Sequence, residues 1–262
     1  MNDNPYRGIE HGGPGTVGWR IHHYAEVGST QEVAETLALG GAAHGTVVIA
    51  ESQTAGHGRL GREWFSPPGV NLHATVILRP AMAPAEVPIL GLVAGVALAE
   101  AVETEAPGLA GLKWPNDLWI RGKKAGGMIA QLLSAPPPCV LLGIGINLNL
   151  TAQQIPEELR GIATSLLIET GKTVDRVKFA GALFARLDQR IRELQRSGFG
   201  PIAPVWERYS ILNGKRITVF DGQSRHRGIV QGIDRDGALL LNEDGTTQRV
   251  LAGDVTVEKI DH

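Results

Sequence analysis

One cysteine in 262 residues excludes any disulfide within the chain. Cys139 stands against Val140, Leu141 and Leu142 and reads as a small buried apolar residue. No Cys/His cluster has the spacing of a structural zinc site, so no metal is expected from a protein motif. An excess of one charge is also lacking. Lys and Arg number 25 against 27 Asp and Glu, a net charge of −2. That balance argues against a mainly electrostatic nucleic-acid binder, and no DNA partner is expected. A membrane-length apolar run is missing too: residues 87–102 form a short stretch broken by Pro88, Gly91, Gly95 and Glu100. No secretory signal opens the chain. These absences point to a cytoplasmic protein with no membrane partner. What is present suffices for a packed core: 43% of residues are hydrophobic.

The chain reads as a tail, a large domain and a small one. Residues 1–18 are rich in Gly, Asn and Pro with no apolar period, and are expected to be a mobile tail. Residues 21–24 suggest a first strand. Ser29 and Glu32 have the spacing of a capping box opening a helix. A helix over 85–103 is apolar on nearly every side, which predicts burial. Residues 112–133 read as two strands joined by a turn at 121–124. Residues 140–150 form another strand, with Gly143 and Gly145 inside it, and such glycines mark close backbone or ligand approach. Val177, Ala180, Phe184, Leu187, Ile191 and Leu194 trace an amphipathic helix closed by Gly198. A short helix follows near 202–209. After residue 213 the pattern changes. Asp221-Gly222, Asp236-Gly237 and Asp244-Gly245 punctuate short strands, a hairpin signal. We expect an α+β fold: a catalytic domain over 19–212 and a small β-barrel over 213–262.

Between the strand-like runs 47–50 and 72–78 lies a long interruption, Gly56-His57-Gly58-Arg59-Leu60-Gly61-Arg62-Glu63-Trp64 and its flanks. Loops this long inside a compact domain are usually functional or disordered. Glycines let backbone N–H groups approach a ligand. Arg59 and Arg62 offer forked donors for carboxylate or phosphate. Trp64 can cover a planar or apolar group. The plain alternative is a solvated turn. A second constellation weighs against it: Lys113-Trp114-Pro115-Asn116-Asp117, then Lys123-Lys124-Ala125-Gly126-Gly127. Taken singly these are a strand-end charge, a turn and a hairpin tip. Together they bring a basic group, an amide, a carboxylate and a glycine pair beside the loop.

With both constellations in view, the chain closely resembles the biotin protein ligases. The resemblance runs through Ser29-Thr30-Gln31, 51–53, 56–64, 66–72, 113–117, 124–127, 143–147 and 163–166, and reaches Gly232-Ile233-Asp234 with Gly237. It implies a mixed-sheet catalytic domain of the biotin/lipoate ligase type with an SH3-like terminal barrel. It implies that biotin and ATP, with Mg²⁺, yield biotinyl-5′-AMP and pyrophosphate. The biotinyl group then passes to a lysine on the biotin carboxyl carrier domain of acetyl-CoA carboxylase or a similar carboxylase. By the same resemblance, Arg59, Lys124 and Asp117 are the catalytic candidates. Ser29, Thr30, Gln31, Gln53, Gly56, His57, Gly58, Arg59, Lys124, Gly127, Gly143 and Gly145 would border biotin. Arg59, Arg62, Trp64, Lys113, Asn116, Lys124 and Asn147 would face ATP or the adenylate. Trp64 would cover the closed loop or the adenine.

Two positions depart from the family pattern. His57 replaces a permanently charged arginine by a titratable group. Gln31 replaces an asparagine and is longer by one methylene. Too few residues precede the match for the winged helix-turn-helix that some members carry, so a single-function ligase is expected. A homodimer is left open. The rivals are a lipoate or octanoate enzyme of the same superfamily, whose Arg-Arg-x-x-Gly-Gly-Gly type motif is absent, and a binding module built on the terminal barrel.

Overall fold

A computed structural model describes residues 4–10, 12–13 and 15–257. The strands and helices are, in chain order, β1 (Arg20–Val27), α1 (Thr30–Leu39), β2 (Thr46–Gln53), β3 (Leu72–Leu78), α2 (Val87–Glu105), β4 (Gly111–Lys113), β5 (Asp117–Ile120), β6 (Lys123–Leu133), β7 (Cys139–Ile146), α3 (Leu166–Thr170), α4 (Arg176–Ser197), α5 (Ala203–Tyr209), β8 (Arg216–Phe220), β9 (Arg225–Ile233), β10 (Leu239–Glu243), β11 (Thr246–Val250) and β12 (Asp254–Val257).

The first seven strands form one sheet in the order β1-β2-β3-β7-β6-β5-β4. Only β1 and β2 run parallel, so the sheet is mixed. Alternation along each strand sorts side chains to two faces. On one face Leu72, Ala74, Val76 and Leu78 of β3 join Val140, Leu142, Ile144 and Ile146 of β7 under α2 and α4, in the main core. Helix α2 is buried on nearly every side, as its composition requires. With its preceding turn it spans Pro84–Glu105, which is long and apolar enough to cross a membrane. Here it is a core helix, with Arg190 of α4 clamped to its Glu100. Asp175 caps α4 by accepting from Val177 and Lys178 N–H at 3.1 Å, and Gly198 ends it at φ 70°. One end of the other sheet face carries α1 over a small apolar cluster: Ala34, Ala38, Val48, Ile77, Cys139 and Leu141. Cys139 is buried there as expected.

Strands β8–β12 form the terminal antiparallel sheet, ordered β11-β10-β9-β8-β12. Its hairpins turn at the expected Asp-Gly pairs; Asp221 Oδ1, for instance, accepts from Gln223 and Ser224 N–H at 2.8 and 2.7 Å. The sheet is tied to the large domain: Trp114 Nε1–H donates to Gly237 O at 3.1 Å, and Ile233 N–H to Glu207 at 3.1 Å.

Four expectations change. The described part of residues 4–18 is not a free tail. Tyr6 and Val17 are fully buried, Asn4 donates to Ile21 O at 3.0 Å, and Val17 N–H donates to Asp188 at 3.0 Å. Burial pushes the Tyr6 phenol up to about 12. No apolar period marks this segment because it packs through single residues. Next, the Ser29 hydroxyl caps α1 at Gln31 N–H, 3.2 Å away, rather than at Glu32. Residues 112–133 make three strands, because residues 114–116 break the first run. Finally, β7 stops at Ile146. Beyond it, Asn149 bonds to both backbone groups of Val174, drawing the chain off the sheet.

Candidate active site

The half of the second sheet face not covered by α1 opens into a cavity of about 480 Å³. Its floor follows from strand register. Gly127 of β6, Gly145 of β7, His73 of β3 and Ala50 of β2 are paired in one row. Ile129, Gly143 and Thr75 make the next row. Three of these positions are glycine, so the backbone itself is the floor. A Cβ on Gly145 would lie 2.7 Å from the Trp64 ring, and one on Gly143 would lie 3.3 Å from the Gln31 amide carbon. Trp64 thus lies against Gly145 and within 3.5 Å of a Cβ on Gly127, two of the glycines that the resemblance assigns to biotin.

The N-terminus of α1 forms one wall. Gln53 Oε1 accepts from Thr30 N–H at 2.8 Å and from Thr30 Oγ1–H at 3.0 Å. Gln53 Nε2 donates to Ser66 Oγ at 3.2 Å, and Thr75 Oγ1–H donates to Thr30 Oγ1 at 2.9 Å. Ser29, Thr30 and Gln31 are all buried. The Gly/Arg loop folds over the opening, held at its neck by Trp64 N–H to Gly56 O, 2.9 Å, and Gly58 N–H to Arg62 O, 2.8 Å.

Cations gather at the opposite end. Arg59, Arg62, Lys113 and Lys124 all line the cavity. Lys124 Nζ is 2.7 Å from Asp117 Oδ1 and 5.6 Å from the Trp64 ring centre. Arg59 donates to Asn116 Oδ1 at 3.2 Å, and Asn116 Nδ2 in turn donates to Met128 O at 2.9 Å. Burial pulls the Lys113 ammonium below its ordinary value, with Lys124 and Arg62 adding to the effect and Asp117 and Asp254 opposing it. Lys113 also rests 4.8 Å from the Trp119 ring centre.

Most of the sequence-derived residues meet here: Ser29, Thr30, Gln31, Gln53, His57, Gly58, Arg59, Arg62, Trp64, Lys113, Asn116, Asp117, Lys124, Gly127, Gly143, Gly145 and Asn147. Gly56 does not reach the cavity. It sits behind Gln53, where a Cβ would come within 2.8 Å of Gln53 Nε2. His57 lies at the exposed rim. Asn147 is buried, with each side-chain atom engaged inside the protein: Asn71 donates to its Oδ1 at 3.1 Å, and its Nδ2 donates to Thr164 O at 2.9 Å. Its visible work is to hold two walls together. Sequence reasoning missed His73, Trp119 and the barrel residues Asp254, Val255 and Thr256, which also line the cavity. Both loop arginines reach that barrel edge: Arg62 pairs with Asp254, and Arg59 donates to Gly253 O at 3.4 Å.

One feature marks the cavity as built for a polar guest. Gln31 Oε1 and Nε2, Trp64 Nε1, His73 Nδ1 and Nε2, and Trp119 Nε1 are buried without a hydrogen-bond partner, and all four residues line it. Among the described residues, only Trp19 Nε1 shares that condition elsewhere. Buried polar groups are rarely left unpaired without a functional reason.

Comparison with known proteins agrees with this geometry. Residues 25–147 match the biotin/lipoate A/B protein ligase family, and residues 213–257 match the biotin protein ligase C terminal domain. The biotin–[acetyl-CoA-carboxylase] ligase of Mycobacterium tuberculosis is 36% identical over 249 residues, covering 91% of this chain and 89% of that protein. The chain belongs to the biotin protein ligase family. It is an enzyme of the ligase class. The bifunctional ligase/repressor BirA of Bacillus subtilis is 34% identical to this ligase, with 91% of this chain and 74% of that protein covered. Among solved structures, biotin protein ligase from Aquifex aeolicus in complex with biotin and ATP superposes with a TM-score of 0.82 at 29% identity, covering 92% of this chain and 99% of that one. The ligase fold therefore extends through both sheets.

Proposed function

We propose that this ligase joins biotin to ATP and then delivers biotin to a carrier-domain lysine. In the first step a biotin carboxylate oxygen bonds to the α-phosphorus of ATP. The α–β phosphoanhydride bond breaks, and pyrophosphate leaves. Both reactants are anions, so fixed positive charge must offset their repulsion. Arg59 and Lys124 supply it at the cationic end, with Arg62 and Lys113 beside them. In the second step the neutral amine of the acceptor lysine attacks the biotinyl carbonyl, and AMP departs. Asp117, freed from Lys124 when that lysine turns to the phosphate, orients the amine and takes its proton.

Mg²⁺ shares the phosphate charge when bound. No group of three or more His, Cys, Asp or Glu suited to a metal occurs among the described residues. Asp117 and Asp254 already carry cationic partners. This donor set suits an ion delivered on the nucleotide rather than one caged by protein. The expected acceptor is the carrier domain of acetyl-CoA carboxylase or a similar carboxylase.

The observation that carries this reading is the polarity of the cavity away from its cations. Gln31 and His73 leave buried donors and acceptors open there. A ureido head can engage them; the dithiolane of lipoate or the alkyl chain of octanoate cannot. Exchange of pyrophosphate into ATP tests the assignment. Biotin and Mg²⁺ should both be required, and octanoate or lipoate should not replace biotin. Exchange supported by lipoate or octanoate, and not by biotin, overturns it.

A further inference from the structure

Strand β3 is apolar except at His73 and Thr75, which share the cavity face. Thr75 is engaged with Thr30. His73 is not engaged. It is 1% exposed, and neither ring nitrogen has a hydrogen-bond partner among the described residues. A buried polar group left unpaired is costly, so such a ring calls for a guest. Burial also pulls the imidazole down to about 4, with the Ala50 backbone and Glu51 opposing and Arg176 assisting. The ring is therefore neutral near pH 7, with one N–H donor and one acceptor.

Its place along the cavity says what it meets. A Cβ on Gly127 would lie 3.5 Å from Lys124 Nζ, so the cationic end stands over β6. Gly145 is one strand further in, and His73 is two. At about 4.8 Å per strand, His73 stands roughly 10 Å from that end. Once the Trp64 indole lifts from Gly145, a carboxylate held at Lys124 and Arg59 puts a four-carbon chain between that ring and the floor and a ring head at β3. There Thr30, Gln31 and His73 converge.

We propose that His73 is a specificity-determining residue of the ligase, donating a ring N–H to the ureido oxygen of biotin. This rests on the biotin reading above and extends it to a residue outside the Ser29–Gln31 and Gly/Arg segments. The ureido oxygen is the strongest acceptor of the head, and it competes for the ring N–H only with the Ala50 carbonyl, whose contact falls short of ordinary hydrogen-bond geometry. A site that hydrogen-bonds a substrate group also rejects analogues lacking it, because its own polar atom is then stranded.

The test measures pyrophosphate exchange in the parent and in His73→Phe, which keeps a ring and loses the N–H. Loss of one such bond should raise the KM for biotin by about tenfold. The KM for ATP should stay unchanged. Octanoate, tested as a competitor of biotin, should bind His73→Phe as well as the parent or better, narrowing the preference for biotin. An unchanged biotin KM with unchanged preference overturns the role of His73. Parent enzyme without biotin-dependent exchange defeats the underlying reading instead, and that result appears before any variant is made. Should His73→Phe not fold, a parent–biotin crystal decides. A ring nitrogen within about 3.2 Å of the ureido oxygen supports the proposal. A ring facing only apolar atoms or a water overturns it.

Discussion

The two faces of the seven-stranded sheet share every backbone hydrogen bond and differ in almost everything else. Under α2 and α4 the strands present Leu72, Ala74, Val76, Leu142, Ile144 and Ile146, closed by a continuous apolar layer. One residue along each strand, the opposite face presents His73, Thr75, Gly143 and Gly145. Helix α1 covers only one end of it, and a loop covers the rest. Period two in a strand lets one stretch of chain serve stability and chemistry at once, with neither compromising the other. Substitutions on the first face should alter folding and spare the chemistry. Those on the second should do the reverse.

The strongest challenge to that division is Phe184→Ala on α4, where the ring is fully buried in the main core. It should cost about 3–5 kcal/mol in urea unfolding. The KM for biotin of the folded fraction should not move. A changed KM would show that the faces are coupled through the sheet.

On the other face, Lys124→Ala removes a cation that is 2.7 Å from Asp117. Adenylate formation should slow on the order of 10²–10³-fold. The unfolding midpoint should change little, since partly exposed ion pairs contribute roughly 0–1 kcal/mol. Rapid-quench measurement of biotinyl-5′-AMP reads the first quantity. An unaltered rate would make Lys124 a hairpin-tip charge.

Gly145→Ala moves the boundary between the faces by one methyl group. Its Cβ would lie 2.7–2.9 Å from three atoms of Trp64, so the indole must lift off the floor. Overpacking of this kind costs about 1–3 kcal/mol; where the whole of that cost falls on the biotin-bound state, the KM for biotin rises roughly 5- to 150-fold. Tryptophan fluorescence should report the displaced indole. Unchanged fluorescence and KM would mean that the floor yields instead.

What could be read in the sequence follows the same division. The apolar face announces itself by periodicity, and α2, α4, β2 and β3 are all apparent before any coordinates. The reactive segments are apparent for a different reason: Gly56–Trp64 and Lys113–Asp117 are dense in residues that local structure does not need. His73 was missed because it hides inside an apolar run, although its spacing of two from Thr75 was a usable signal. Trp119 was missed likewise, inside Leu118-Trp119-Ile120. Asp254 had no local signal. It reaches Arg62 from 192 positions away through docking of the terminal sheet, and only the tertiary arrangement brings them together. Tyr6 was misread because a single aromatic in a Gly/Pro-rich stretch has no period, yet it is anchored beside Arg176 and Glu51.

The smallest expected effect concerns the pH dependence of folding, where His73 makes the functional face a liability. Its ring stands near 4 in the folded protein against 6.5 for an unhindered histidine, with burial as the main cause. Between those values the unfolded chain binds a proton that the folded chain does not. Stability contributed by this site therefore rises with pH across that window and falls away as pH drops from about 6.5 towards 4. At about pH 5.5 the loss relative to pH 7.5 should be on the order of 1 kcal/mol. His22 and His44 are also held low by burial, but they are present in any His73 variant and cancel in a difference. Urea unfolding of the parent and of His73→Phe at the two pH values isolates the single ring. The parent should lose more stability on acidification than the variant. Equal losses would mean that water already solvates the ring, and the floor of the cavity would then be wet rather than waiting for a ligand.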